Sequence, residues 1–244
     1  DALVVIPVDE SNAVLAVADG LGGQRLGSMA SMTATNKLMQ SIAANKDSDL
    51  LRGAIHDAAP NFAKVTPDHL DLPTPCDGWD LLTLLIHAYS RLDLSARAAR
   101  NEAVDDFAQV EIDHVGDDPA GAFERLTASV LTAWDATDDL ETPRVTPMGP
   151  MPPAGILLFG AQDIFVHAWD VATTVGATPE LSDEMIEVFT RTHRESIDET
   201  MRAMFFADAV PVPHDASALD QLVAFLGRRP SATAPESMTH AAAG

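Results

Sequence analysis

Residues 154–174 read AGILLFGAQDIFVHAWDVATT, a stretch that would be hydrophobic on almost every face of a helix. Such a helix must be surrounded by the rest of the protein, because water would otherwise meet hydrophobic side chains on every side. Helical spacing of hydrophobic residues recurs at about 50–65, 80–102, 119–136, 183–205 and 216–227. The pattern predicts a mainly α protein in which residues 154–174 lie inside a helical bundle.

Three polar residues on these hydrophobic segments predict a metal site. Asp163 and His167 are four residues apart, so their side chains project from the same helix face about one turn apart. A buried carboxylate is costly unless it is paired or coordinates a cation. His87 follows a candidate N-cap, Asp80, in a hydrophobic run and would face the same interior. Two histidines and one carboxylate make a three-ligand site with open positions. Taken alone, His87 also fits a hydrogen-bonded core histidine.

Composition excludes several classes of protein. The 244 residues include 37 acidic and 15 basic side chains, for a net charge of −22. Nucleic acid is excluded as a partner, since its phosphates are bound by clustered Lys and Arg. A membrane protein is excluded, since no hydrophobic run reaches the roughly 18 to 20 residues of a membrane span. The single cysteine, Cys76, forms no internal disulfide and no Cys-x-x-Cys site, so any metal must be held by His and carboxylate groups. The opening residues lack the basic start of a secretory signal, which favours a cytoplasmic location.

The first part of the chain has a different pattern from the rest. Two Val- and Leu-rich runs, Ala2–Val8 and Ala13–Ala18, flank turn-forming residues and predict a β-hairpin. A glycine-rich loop at 19–23 and a helical pattern at about 27–44 follow. A hairpin with one helix buries too little hydrophobic surface to be stable alone. We therefore expect a small α+β fragment in front of the bundle.

Proline positions suggest where the two parts join. Pro60 is tolerated in the first turn of a helix but costly in the interior, which favours a helix start near Asp57. Loops are expected at 67–75 and 143–153, and the small-residue tail at 231–244 is expected to be disordered. The predicted domains are an α+β fragment at 1–57, a helical bundle at 58–230 and the tail.

Residues 58–230 resemble the DinB-like metal-binding family related to mycothiol-dependent maleylpyruvate isomerase. The stretches that carry the resemblance are LPTPCDGWD (72–80) before the His87 helix, DIFVHAWD (163–170), VPVP (210–213) and LVAFLGR (222–228). The resemblance implies a DinB-like four-helix bundle with a C-terminal helical extension. It also implies one divalent metal held by His87, Asp163 and His167, although the isomerase has Glu where this chain has Asp163. Asp170 is a candidate for holding a metal ligand from behind.

The same resemblance implies a function. Zn is the metal expected first, and Ni or Fe also suit two histidines and a carboxylate. The protein would be a metal-dependent thiol transferase or isomerase that acts with a small-molecule thiol such as mycothiol. A metal-binding module without catalysis stays open as an alternative, and the sequence indicates neither the substrate nor the oligomeric state.

A second resemblance covers residues 1–57. VADGLGG (17–23) resembles the Asp-Gly-x-Gly-Gly motif of metal-dependent type 2C protein phosphatases. This resemblance implies that Asp1, Asp19 and the Gly20 carbonyl belong to a two-metal centre for Mg or Mn. The alternative function is therefore a type 2C serine/threonine phosphatase. The fragment would be a truncated one, because no strand pattern after residue 57 supplies the second sheet and the remaining acidic ligands of that family.

We predict that the N-terminal fragment has no phosphatase activity, because one Asp-Gly turn cannot hold two metals about 3.5 to 4 Å apart. The measurement is hydrolysis of an aryl phosphate by the purified protein with added Mn. Activity above background that Asp19→Ala abolishes would contradict the prediction.

Overall fold

The computed structural model describes residues 2–7, 13–18 and 47–230. Its architecture in residues 47–230 is mainly helical, as predicted. The helices in chain order are α1 (Asp47–Phe62), α2 (Leu81–Ala99), α3 (Pro119–Asp135), α4 (Pro153–Thr174), α5 (Asp183–Ser196), α6 (Glu199–Phe205) and α7 (Ala218–Phe225).

The first four helices form a bundle around α4. Helix α4 packs against α1 and α2, and α3 completes the bundle by packing against the same two helices. Most side chains of α4 are buried, which explains why its sequence is hydrophobic on nearly every face. Phe62 and Phe123 stack in the core with ring centroids 4.3 Å apart. Helices α5 and α7 pack together and form the C-terminal helical extension.

Capping residues fix the helix that carries His87. Asp80 precedes α2 with extended backbone, and its carboxylate accepts hydrogen bonds from the Thr83 backbone N–H at 2.8 Å and the Thr83 hydroxyl at 2.6 Å. The predicted N-cap is therefore confirmed. The cap sets where the helix begins, and His87 follows about two turns later.

The predicted hairpin is present in the described part of the N-terminal region. Strand β1 (Ala2–Pro7) pairs antiparallel with β2 (Ala13–Ala18), and Ala2 lies opposite Ala18. Asp1, the glycine loop with Asp19 and Gly20, the predicted helix at 27–44 and the tail at 231–244 lie outside the described residues.

The expected helix start near Asp57 is wrong. Helix α1 runs from Asp47 to Phe62 with Pro60 in its last turn, where the missing N–H removes a single backbone hydrogen bond. Leu51, Ala54 and Ala58 are fully buried core residues of this helix. Asp57 instead contacts the start of a different helix, since its carboxylate accepts hydrogen bonds from the N–H at 2.8 Å and the hydroxyl at 2.6 Å of Ser182, the N-cap of α5. The division of the chain into fragment and bundle stays a prediction.

Two other expectations need correction. The segment 143–153, predicted as a loop, contains a short antiparallel pair of strands, β3 (Arg144–Thr146) and β4 (Gly149–Met151). Three-residue strands are too short to show an alternating pattern in the sequence. The predicted helix at 183–205 is divided into α5 and α6 by Ile197, whose backbone is extended.

None of the helices within residues 47–230 is long and hydrophobic enough to cross a membrane.

Candidate metal centre and adjoining cavity

Helices α2 and α4 bring His87, Asp163 and His167 together. His87 Nε2 lies 3.2 Å from Asp163 Oδ1, and His167 Nε2 lies 3.7 Å from the same oxygen. One donor atom from each of the three residues lies within 4.8 Å of the other two. The sequence spacing predicted this convergence, and Asp163 reaches His87 although it is one methylene shorter than Glu.

The electrostatics of the three residues suit a divalent cation. Burial by itself raises the pKa of Asp163, but the two neighbouring histidines lower it to about 2, so the carboxylate is ionised. Burial opposes the positive charge of His167, whereas Asp163 and Asp170 favour it and raise its pKa to about 10. Asp163 Oδ2 is buried and has no hydrogen-bond partner among the described residues. The donor set and this unpartnered oxygen fit a divalent metal ion. Such an ion would take the place of the proton on the histidine nitrogen that faces Asp163.

Asp170 and Arg228 form a second layer of charged side chains, which orients His167. Asp170 is 0% exposed, and its Oδ2 accepts a hydrogen bond from His167 Nδ1 at 2.9 Å. Arg228, which follows α7, donates to both carboxylate oxygens, with Nη2 at 2.8 Å and Nε at 3.2 Å. Because Nδ1 is committed to Asp170, His167 presents Nε2 to Asp163. Asp170 therefore lies where the sequence suggested. The pairing of Arg228 with it was not predicted, although a buried carboxylate requires a cation nearby.

The loop before α2 contributes two more side chains. Its shape is fixed by hydrogen bonds between the Thr74 N–H and the Trp79 carbonyl and between the Trp79 N–H and the Cys76 carbonyl, both at 3.0 Å. Gly78 between them has a φ of 79°, which a residue with a Cβ adopts at a cost. The Trp79 ring lies 5.0 Å from the His87 ring, measured between centroids. This loop closes one side of the site.

Cys76 forms part of the second layer rather than a separate cation site. Its Sγ lies 3.5 Å from Asp170 Oδ2 and 3.7 Å from Arg228 Nη2. Cys76, His167 and Asp170 also offer donor atoms within 4.8 Å of one another. The Arg228 guanidinium already provides a positive charge at this point, so a metal ion there would be repelled.

A cavity of about 1000 Å³ opens beside the three donors. His87, Asp163 and His167 lie on its wall, together with the neighbouring Cys76 and Arg228. Other parts of its wall come from the β3–β4 hairpin, from α5 and from the segments at 205–210 and 226–229. The C-terminal extension therefore both supports the site, through Arg228, and encloses the space in front of it.

Comparison with known proteins gives a family match and several relatives. Residues 51–172 match the family model described as the mycothiol maleylpyruvate isomerase N-terminal domain. Two uncharacterized proteins of Mycobacterium tuberculosis, MT0763 from strain CDC 1551 / Oshkosh and Rv0738 from strain ATCC 25618 / H37Rv, are each 28% identical over 171 residues. The alignment covers 68% of this chain and 89% of each relative. The crystal structure of the mycothiol-dependent maleylpyruvate isomerase is similar with a TM-score of 0.46 and 17% identity, over 59% of this chain and 67% of that one.

We predict that Arg228→Met destabilises the fold, because it leaves the Asp170 carboxylate buried without its arginine. Loss of one partner from a buried ion pair costs about 3 to 5 kcal/mol. The measurement is urea unfolding in the presence of chelator. The matched control is Arg229→Met, at the exposed neighbouring arginine, which should change the free energy of unfolding little. Equal effects of the two substitutions would contradict the assigned role of Arg228.

A second prediction concerns His193, which is buried in α5 and lines the cavity. Burial, and to a smaller extent Arg228, lower its pKa to about 4. The unfolded chain binds this proton at about pH 6.5 and the folded chain only at about 4, so acidification through this range favours unfolding. Between pH 7.5 and pH 5 the wild type should lose about 2 kcal/mol more stability than His193→Leu. The measurement is urea unfolding at both pH values. His56→Leu, at an exposed histidine of α1, should keep the wild-type pH dependence, and the same dependence in His193→Leu would refute the prediction.

Proposed function

We propose that this chain, which belongs to the mycothiol maleylpyruvate isomerase N-terminal domain family, binds one divalent metal ion through His87, Asp163 and His167. The observation that carries the proposal is the convergence of these donors, from two helices, on the wall of a cavity. The unpartnered Asp163 Oδ2 supports it, because a buried carboxylate oxygen without a partner is costly.

The donor set favours zinc. Two histidines and one carboxylate are a common catalytic zinc set, with a position left open for water or substrate. Nickel and iron also accept imidazole and carboxylate ligands, so they are the next metals to test. Cys76 does not complete the set, since its sulfur lies against Arg228 and Asp170.

We further propose that the site binds a small-molecule thiol beside the metal ion. Mycothiol is the first thiol to test, because the name of the family contains it. A divalent metal at this position would favour the thiolate, the reactive form of a thiol. The residues of the chain have supporting roles. Asp170 and Arg228 fix the orientation of His167, and the Trp79 ring packs beside the His87 ring. The reaction class is thiol transfer or thiol-dependent isomerisation, and metal binding without catalysis is the alternative.

The expected metal content is about one ion per chain in the wild-type protein and much less in His167→Ala, which lacks one of three ligands. The measurement is elemental analysis of the purified protein after incubation with zinc and removal of free metal. His214→Ala, at an exposed histidine far along the chain from the three donors, is the matched control and should keep the wild-type content. Circular dichroism establishes that each variant is folded. Equal metal in His167→Ala and wild type would disprove the site.

The thiol part of the proposal is tested by a separate measurement. Titration calorimetry of the zinc-loaded protein with mycothiol should show binding that chelator removes. Asp170→Asn should lower metal affinity about 10- to 100-fold, as is typical of residues that orient a ligand from behind. Thiol binding that is unchanged by chelator would separate the thiol from the metal and contradict this part.

A further inference from the structure

The cavity wall also carries hydrophobic side chains. Side chains from the β3–β4 hairpin, α4, α5 and the end of α6 contribute to this wall, among them Met148, Met151, Phe159, Ile197, Phe205 and Phe206. A volume of about 1000 Å³ lies at the upper end of the range of roughly 300 to 1000 Å³ for small-molecule sites. The cavity therefore has room for a molecule besides a metal-bound thiol.

Two arginines on the cavity wall have internal partners. Arg91 lies 3.4 Å from Glu111 Oε1, and its guanidinium carbon lies 4.5 Å from the centroid of the Phe107 ring. Arg228 is bonded to both oxygens of Asp170. Arg229 also lines the cavity but is exposed, where water solvates it. Neither of the two internally paired arginines offers its charge to an anionic ligand.

The other polar groups of the wall also disfavour an anion. Asp77, Asp163 and Asp208 line the cavity with carboxylates. Gln162 is neutral, and burial keeps His193 neutral at physiological pH by lowering its pKa to about 4. In the metal-free protein, an anionic ligand would meet carboxylates and paired cations, whereas an uncharged one meets no electrostatic penalty.

Two hydrophobic side chains on this wall are exposed to solvent. Met148 is 40% exposed and Phe205 is 55% exposed. The two residues lie on different segments, one in the β3–β4 turn and one at the end of α6, and both line the cavity. Exposed hydrophobic side chains on the wall of one cavity are typical of a binding site for a hydrophobic ligand.

We propose that this cavity binds an uncharged, hydrophobic small molecule, which is the non-thiol substrate of the site. The substrate role rests on the proposed function, but binding of the molecule itself depends only on the cavity wall. Met148 and Phe205 set the preference for a hydrophobic ligand. Glu111 sets the preference for an uncharged one, because it neutralises Arg91.

The test compares methyl 1-naphthylacetate with the free acid 1-naphthylacetate, which has a carboxylate in place of the uncharged methyl ester. Titration calorimetry of the full chain at neutral pH in the presence of chelator should show the ester binding at least about 10-fold more tightly than the acid, because a buried carboxylate without a partner is costly. The Met148→Ser/Phe205→Ser double variant should weaken ester binding about 10-fold. Leu140→Ser, at a similarly exposed hydrophobic residue outside the cavity wall, is the matched control and should leave ester binding unchanged. Glu111→Gln should strengthen binding of the acid and leave that of the ester unchanged.

Several outcomes would overturn the inference. They are tighter binding of the acid, loss of ester binding in Leu140→Ser to the same extent as in the double variant, and no ester binding by the full chain. Self-association through the exposed Met148 and Phe205 side chains would also overturn it, and would appear as a dimer in light scattering that Phe205→Ser dissociates. Each titration is repeated with the zinc-loaded protein. Ester binding without metal binding would reject the proposed function and keep this inference. Metal binding without ester binding would keep the proposed function and reject this inference.

Discussion

The buried ion pair between Asp170 and Arg228 is the interaction on which the rest of the site depends. Asp170 is completely buried in α4, and its charge is balanced by His167 on one side and by Arg228 on the other. Charges removed from water need excellent geometry to avoid a large penalty. Here the geometry is provided by a helix of the bundle and by the segment after α7. The pair therefore orients a candidate metal ligand and attaches the C-terminal extension to the bundle.

Attachment of the extension also creates the cavity. The segments at 205–210 and 226–229 flank the space in front of His87, Asp163 and His167, and Arg228 in the second segment is held by Asp170. The wall thus carries both the polar donors and hydrophobic side chains. A site of this kind has room for a hard or borderline cation and a hydrophobic molecule side by side, which is the arrangement that the two proposals use.

Membership of the family specifies the bundle and leaves the chemistry to the residues of the site. One scaffold commonly supports different reactions, so the activity must be argued from the donors, their second layer and the cavity wall. In this chain those features are a carboxylate shared by two histidines, a histidine held by a buried ion pair and a cavity wall whose inner arginines are neutralised. The high net negative charge contributes to solubility and does not select a reaction.

The sequence by itself determined the helical bundle, the Asp80 cap and the convergence of Asp163 with His167, because periodicity, capping and i, i+4 spacing act over a few residues. It also predicted that His87 faces the same interior, since α2 is hydrophobic on that side. Only the tertiary structure decided that α1 continues through Asp57, that Arg228 pairs with Asp170 58 residues away in the chain, and that a short hairpin borders the cavity. These features depend on contacts between segments that are distant in the sequence. Local patterns do not predict which distant residue pairs with a buried charge or covers a hydrophobic face.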